Sequence, residues 1–177
     1  MNTIFIDHND KKSFYVEKLQ DYMTPNGVDI QFSYESDFKN AKILRDSIEY
    51  ILKAFDVSSK DVSRFVLAAD EMNNNAIEHG SNQGDCNKLH LRLLKTQSAI
   101  EIVMEVEDSG NGPKSKTAAE MDMYKKEKSK LDFTKHNSIR WRWLFLIIIN
   151  IVDELYFQDS QSGWLIVGIK KDLPYSG

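Results

Sequence analysis

Residues 65–80 read FVLAADEMNNNAIEHG. At 3.6 residues per turn, Phe65, Ala68, Ala69, Met72 and Ala76 fall on one apolar face, and Glu71, Asn75 and Glu78 line up beside it. The spacing predicts an amphipathic helix from about Ser59 or Lys60 to His79, with Gly80 suited to the left-handed position that closes a helix. The asparagine run Asn73-Asn74-Asn75 works against that helix, because a short amide side chain competes for the backbone's own hydrogen bonds. A role other than helix stability is the better explanation for it.

Outward from this helix, the 177 residues, 41% hydrophobic and 28% charged, fit one globular domain with a sizeable core. A formal net charge of -4 argues against a nucleic-acid surface. Cys86 is the single cysteine, which excludes an internal disulfide, and no apolar run is long enough to span a bilayer. With no signal peptide in evidence, the expected compartment is the cytoplasm, with no membrane partner.

Upstream, Met1 to Gly27 has a short apolar start (Ile4, Phe5, Ile6) and a helix pattern over Lys12 to Met23, which ends at the turn Pro25-Asn26-Gly27. Residues 1–28 either pack on the domain or serve as a partner-binding arm. Asp29 to Tyr34 alternates as a strand, and Asp37 then stands where an N-cap belongs. Phe38, Ala41, Leu44, Ile48, Ile51, Leu52 and Phe55 form the core-facing stripe of a helix, broken at Asp56-Val57-Ser58-Ser59.

Downstream, Lys88 to Leu94 and Ala99 to Glu107 read as an antiparallel hairpin with one buried face. Asp108-Ser109-Gly110-Asn111-Gly112-Pro113 follows directly, and its glycines let the backbone bend sharply and approach another group. Residues 113–138 are lysine-rich and read as a mobile lid, either a solvated helix over Ala118 to Lys130 or a disordered loop. Ile139 to Leu155 is apolar nearly all round and reads as a central core helix. Tyr156 to Gln158 and Trp164 to Lys170 read as closing strands, with a frayed tail from Lys171 onward. This order predicts an α+β two-layer sandwich with helices on one face of a mixed sheet, the domain running over residues 29–171 and the tail over 172–177.

Glu71 and Asn75 stand one helical turn apart, pairing a carboxylate able to take a proton with an amide oxygen able to bind a hard cation. Asp108 can accept a hydrogen bond from an exocyclic amine, and the glycines beside it let a planar ring lie close to the main chain. His79 reads as a helix-end residue that caps or packs, outside the site. His8, His90 and His136 have no partners at metal-ligand spacing.

Glu71-x-x-x-Asn75, then Asp108-x-Gly110-x-Gly112, then a lid and a Leu-Phe-Leu-Ile helix ending in Val-Asp-Glu, together resemble the histidine-kinase-like (GHKL) ATPase fold of the Bergerat type. Within it, DEMNNNAIEHG looks most like the anti-sigma-factor serine kinase branch. The resemblance spans about Asp29 to Lys171. It implies ATP and Mg²⁺ as cofactors, with Glu71 as the catalytic base, Asn75 holding the metal, Asp108 accepting from the adenine amine, and Gly110 and Gly112 shaping the adenine pocket. It also implies a sigma factor and an anti-anti-sigma protein as partners, phosphorylation of a serine on the latter, and a homodimer.

The chain departs from the family pattern at the phosphate end. Trp141 and Trp143 stand where the family has a Gly-x-Gly-Leu box whose amides cradle phosphate, and Gly163-Trp164 stands for a Gly-Thr pair. Two expectations follow. Either side chains such as Arg140, Arg142 or the lid lysines replace those contacts and the chain is an ATP-dependent kinase, or it is a pseudokinase, a binding module that regulates by protein contact without phosphoryl transfer.

Overall fold

The computed structural model describes residues 2–10, 12–129 and 151–174. β1 (Asn2–Ile6) lies parallel to β2 (Gly27–Glu35), joined through α1 (Lys12–Tyr22), since parallel neighbours need a crossover. After β2, a 3₁₀ turn (Phe38–Asn40) capped by the Asp37 carboxylate leads into α2 (Ala41–Ala54) and α3 (Ser59–Asn75). β3 (Cys86–Lys95), β4 (Ala99–Glu107), α4 (Ala118–Ser129), β5 (Glu154–Asp159) and β6 (Leu165–Pro174) complete the order. The strands form one sheet, β1-β2-β3-β4-β6-β5, in which every pair except β1 and β2 is antiparallel. This is the α+β mixed sheet expected from the pattern of elements.

Strand alternation builds the core. Ile30 and Phe32 of β2, Leu89 and Leu91 of β3, and Ile102 and Met104 of β4 all point to one buried face. Leu44, Ile48, Ile51 and Leu52 of α2 and Phe65, Ala68, Ala69 and Met72 of α3 bury their stripes in the same core. The opposite face of the sheet carries cross-strand ion pairs, Lys88 to Glu107 at 3.1 Å and Lys170 to Glu101 at 2.9 Å. At the start of α3, the Ser58 hydroxyl accepts the Asp61 N–H at 3.1 Å and donates to the Asp61 carboxylate at 2.7 Å.

Three readings change. Gly80 does not close the helix in a left-handed conformation: α3 continues into one π-helical turn (Ala76–Gly80), and Gly80 keeps a negative φ. A Cβ at Gly80 would stand 2.1 Å from Asp108 Oδ2, so its small size, not its φ freedom, is what the fold uses. Glu154 and Leu155 belong to β5, not to a core helix, because the Asp153 N–H donates to the Lys170 carbonyl at 2.9 Å and its carboxylate accepts the Asp172 N–H at 2.9 Å. Residues 139–150 of that expected helix lie outside the described residues. Nor is the chain frayed at Lys171: Asp172, Leu173 and Pro174 pair with β4, where Leu173 is buried.

The lid segment contains a helix, α4, begun by a capping box in which Thr117 and Glu120 exchange backbone-to-side-chain bonds. Ala118 and Met121 are buried, and the Ala118 N–H donates to the Asp159 carboxylate at 2.8 Å, which moors α4 on β5. The N-terminal residues join the same core, with Ile4, Tyr15 and Leu19 almost fully buried.

Candidate functional site

Two hollows meet over the end of α3. The more apolar one lies between α3 with its π turn, the ends of β4, β5 and β6, and α4. Met72, Val106, Leu155, Phe157, Leu165 and Val167 make its walls apolar, and Met121 and Tyr124 of α4 close one side. Asp108 is among the few polar groups it offers.

Asp108 sits where β4 gives out beside the start of β6: its N–H donates to the Leu165 carbonyl at 3.1 Å. Its Oδ1 accepts the N–H of Gly110 at 2.9 Å and of Leu165 at 3.3 Å, while Oδ2 faces Gly80. Burial pushes its carboxyl pKa up to about 6, with the Gly110 and Leu165 amides pulling the other way. The result is a fixed acceptor in an apolar cavity, the arrangement that selects a ligand donor by leaving the acceptor unpaired when that donor is missing.

The outer hollow is polar, lined by Phe38, Glu71, Asn74, Asn75, Glu78, His79 and Lys114. Asn75, His79 and Lys114 border both hollows, so the two are continuous there. Glu71 and Asn75 are thus brought together in the mouth, and Asn75 stands between the mouth and the floor acid Asp108. Among the described residues no group of three or more His, Cys, Asp or Glu could hold a metal by itself. A cation at Asn75 would take its remaining ligands from water and from a bound anion, as Mg²⁺ commonly does.

The asparagine run divides its labour. Asn73 is buried and accepts the Tyr34 hydroxyl proton, which satisfies both polar groups inside the core. Asn74 lines the mouth, and Asn75 lines both hollows.

The glycines support the site from behind. Neither Gly110 nor Gly112 is among the described residues that line these two hollows. Gly110 has φ +68° and fixes Asp108 through its N–H, and a Cβ there would lie 3.1 Å from the Trp164 ring. Gly112 donates its N–H to the Gly80 carbonyl at 3.0 Å, and a Cβ there would come within 2.2 Å of the His79 carbonyl oxygen. Trp164 does not occupy the cavity: it packs beside Gly110 with the Lys88 ammonium 5.2 Å from its ring centre. Trp141 and Trp143 lie outside the described residues.

Sequence reasoning left His79 outside the site and counted Lys114 only among the lid lysines, and both line the two hollows. His79 is buried, which holds its imidazole pKa below the ordinary histidine range. Its signal was present in the 71, 75, 79 spacing, one turn apart each time. Lys114 enters because its N–H donates to the His79 carbonyl at 3.2 Å, a contact made through the glycine turn that no local pattern records.

A single helical layer on a mixed sheet, with an acid-floored apolar cavity opening to a Glu/Asn mouth, defines a two-layer α+β domain of the nucleotide-pocket kind. Residues 34–166 match the family model of the histidine kinase-like ATPase domain, and the chain belongs to that family. The match begins in β2 and ends in β6, taking in the helices and strands that frame both hollows. A search of curated proteins finds no match to the chain. Among the described residues, no helix is long and apolar enough to cross a membrane.

Proposed function

We propose that the chain is a nucleotide-binding regulator of the anti-sigma-factor serine kinase type, using ATP and Mg²⁺. The observation that carries this reading is Asp108, a buried carboxylate backed by two amides and facing a cavity lined mostly by apolar side chains, as the faces of a purine require. Asp108 would accept a hydrogen bond from the adenine amine, and Met72, Leu165 and Val167, which line the cavity, would face the base. Asn75 would hold Mg²⁺ through its amide oxygen, Lys114 would attract phosphate, and Glu71 would take the proton from an incoming serine hydroxyl. ATP would supply the transferable phosphoryl group. The hydroxyl belongs to an anti-anti-sigma protein, a sigma factor is the second partner, and the working unit is a cytoplasmic homodimer.

The experiment is a thermal-shift series with ATP, with and without Mg²⁺, on wild type and Asn75→Ala. Magnesium-dependent stabilisation by ATP in wild type, lost in Asn75→Ala, is expected. No stabilisation of wild type at millimolar ATP would sink the nucleotide reading.

A second reading is favoured by Trp141 and Trp143 at the family's phosphate-cradling positions. There the chain is a pseudokinase, a binding module that acts by contact with its partners. Stabilisation by ATP that is indifferent to Mg²⁺ and to Asn75→Ala, with no transfer of labelled phosphate to protein, supports it.

A further inference from the structure

The polar loop Ser81 to Asp85 has no part in the proposed chemistry, yet it is fastened to the loop that carries Asp108. Ser109, next to Asp108 and 3% exposed, is held by both backbone and side chain. Its N–H donates to Ser81 Oγ at 2.9 Å, and its hydroxyl donates to Asp85 Oδ2 at 2.7 Å. The same Asp85 oxygen accepts the Asn82 N–H at 2.9 Å, which closes the turn. The Asp85 carbonyl accepts the Ser36 N–H at 2.7 Å, tying that turn to the end of β2. Asn82 adds a bond from its amide to the Asn111 carbonyl at 2.8 Å.

We propose that Asp85, acting through Ser109, is a positioning and specificity-determining residue of the base pocket: it holds Asp108 at the cavity floor so that the pocket selects a base with an exocyclic amine. The inference rests on the nucleotide reading above.

The reason lies in the balance of forces on Asp108. A carboxylate in an apolar cavity is driven toward water, so its inward orientation needs restraint. The Leu165 amide reaches Oδ1 from β6 at 3.3 Å, but the closer Gly110 amide, at 2.9 Å, restrains it only while the backbone at 109 and 110 stays in place, and Gly110 carries no side chain of its own to anchor that backbone. Ser109 supplies the anchor. Its bond to Asp85 is charge-assisted, the stronger kind, and this bond is the main cause that keeps the Asp85 carboxyl below the usual carboxylate range. Asp85 itself is half-buried at the rim and touches neither hollow, so its effect on a ligand must pass through Ser109.

The test compares ADP with IDP, in which a carbonyl replaces the amine, by calorimetry on the full chain. It also follows amide hydrogen exchange at Ser109 and Gly110 without nucleotide. Wild type is expected to prefer ADP by about tenfold or more. Asp85→Ala is expected to reduce that preference to about threefold or less, through weaker ADP binding, and to speed exchange at Ser109 and Gly110 while β4 stays protected. Asp85→Asn keeps an oxygen facing Ser109 and is expected to retain the preference. An unchanged ADP:IDP ratio in Asp85→Ala, with ADP still bound, overturns the positioning role alone. Faster exchange throughout β4 in Asp85→Ala overturns it too, by making Asp85 a general stabiliser. If wild type binds neither nucleotide, the nucleotide reading falls and this inference with it.

Discussion

Asp108 is the residue at which stability and site chemistry oppose each other. Its folded pKa of about 6 lies above the ordinary 3.8, so the folded chain binds the proton more tightly than the unfolded chain does. Stability therefore falls as pH rises from about 4 through about 6, and above that the charge costs on the order of 2–3 kcal/mol. Asp108→Asn keeps the shape and removes the charge. At pH 7.5 it is expected to unfold at higher urea than wild type, by about 1–3 kcal/mol, and to lose ATP-induced stabilisation. Lower urea stability in the variant would show that the buried charge is compensated. That Asp108 is a candidate site residue was legible from its place after a strand and before two glycines. That Gly80 makes room for its carboxylate was not, because 27 intervening residues separate the pair in the chain and only the folded contact relates them.

At the scale of elements, the outward rows of β3 and β4 oppose cations to carboxylates. His90 is its centre: Nε2 lies 2.8 Å from the Asp29 carboxylate on β2 and Nδ1 lies 3.1 Å from Glu105 on β4. Tyr156 of β5 reaches over Gly168, where a Cβ would come within 2.2 Å of its ring, and donates to Glu105 at 2.7 Å. The Glu105 bond first, and Asp29 with it, raise the His90 pKa above 6.5 against desolvation. A raised histidine pKa gives stability that is complete below about 6.5 and is lost as pH rises through the folded value. His90→Gln is therefore expected to cost about 1–2 kcal/mol at pH 6 and progressively less at alkaline pH, read by urea unfolding. A cost that does not change with pH would mean that the imidazole acts here by packing alone. Strand β4 was legible to the residue because its alternation is interrupted only at Val103. Helix α4 was only one of two readings, since its apolar positions are few, although Thr117-x-x-Glu120 announced its start.

For the whole molecule, the family match leaves β1 and α1 outside, yet they complete the sheet and the core. Ile4 and Ile6 of β1 and Tyr15 and Leu19 of α1 are buried with the residues of β2 and α2. The sequence could not decide between a packed segment and an arm, because Ile4-Phe5-Ile6 is too short to show a period and parallel pairing depends on a crossover that leaves no local mark. Each such side chain contributes about 1.5–3 kcal/mol on burial, so their joint removal approaches the whole 5–15 kcal/mol by which a domain is ordinarily stable. It would also bare the edge of β2, a row of backbone donors and acceptors open to another strand. A variant lacking residues 1–26 is therefore expected to lose its cooperative thermal transition and to self-associate, read by calorimetry and sedimentation. A cooperative melt within a few degrees of the full chain, from a monomer, would show instead that β2 to β6 hold the fold alone and that the N-terminal residues are free for another use.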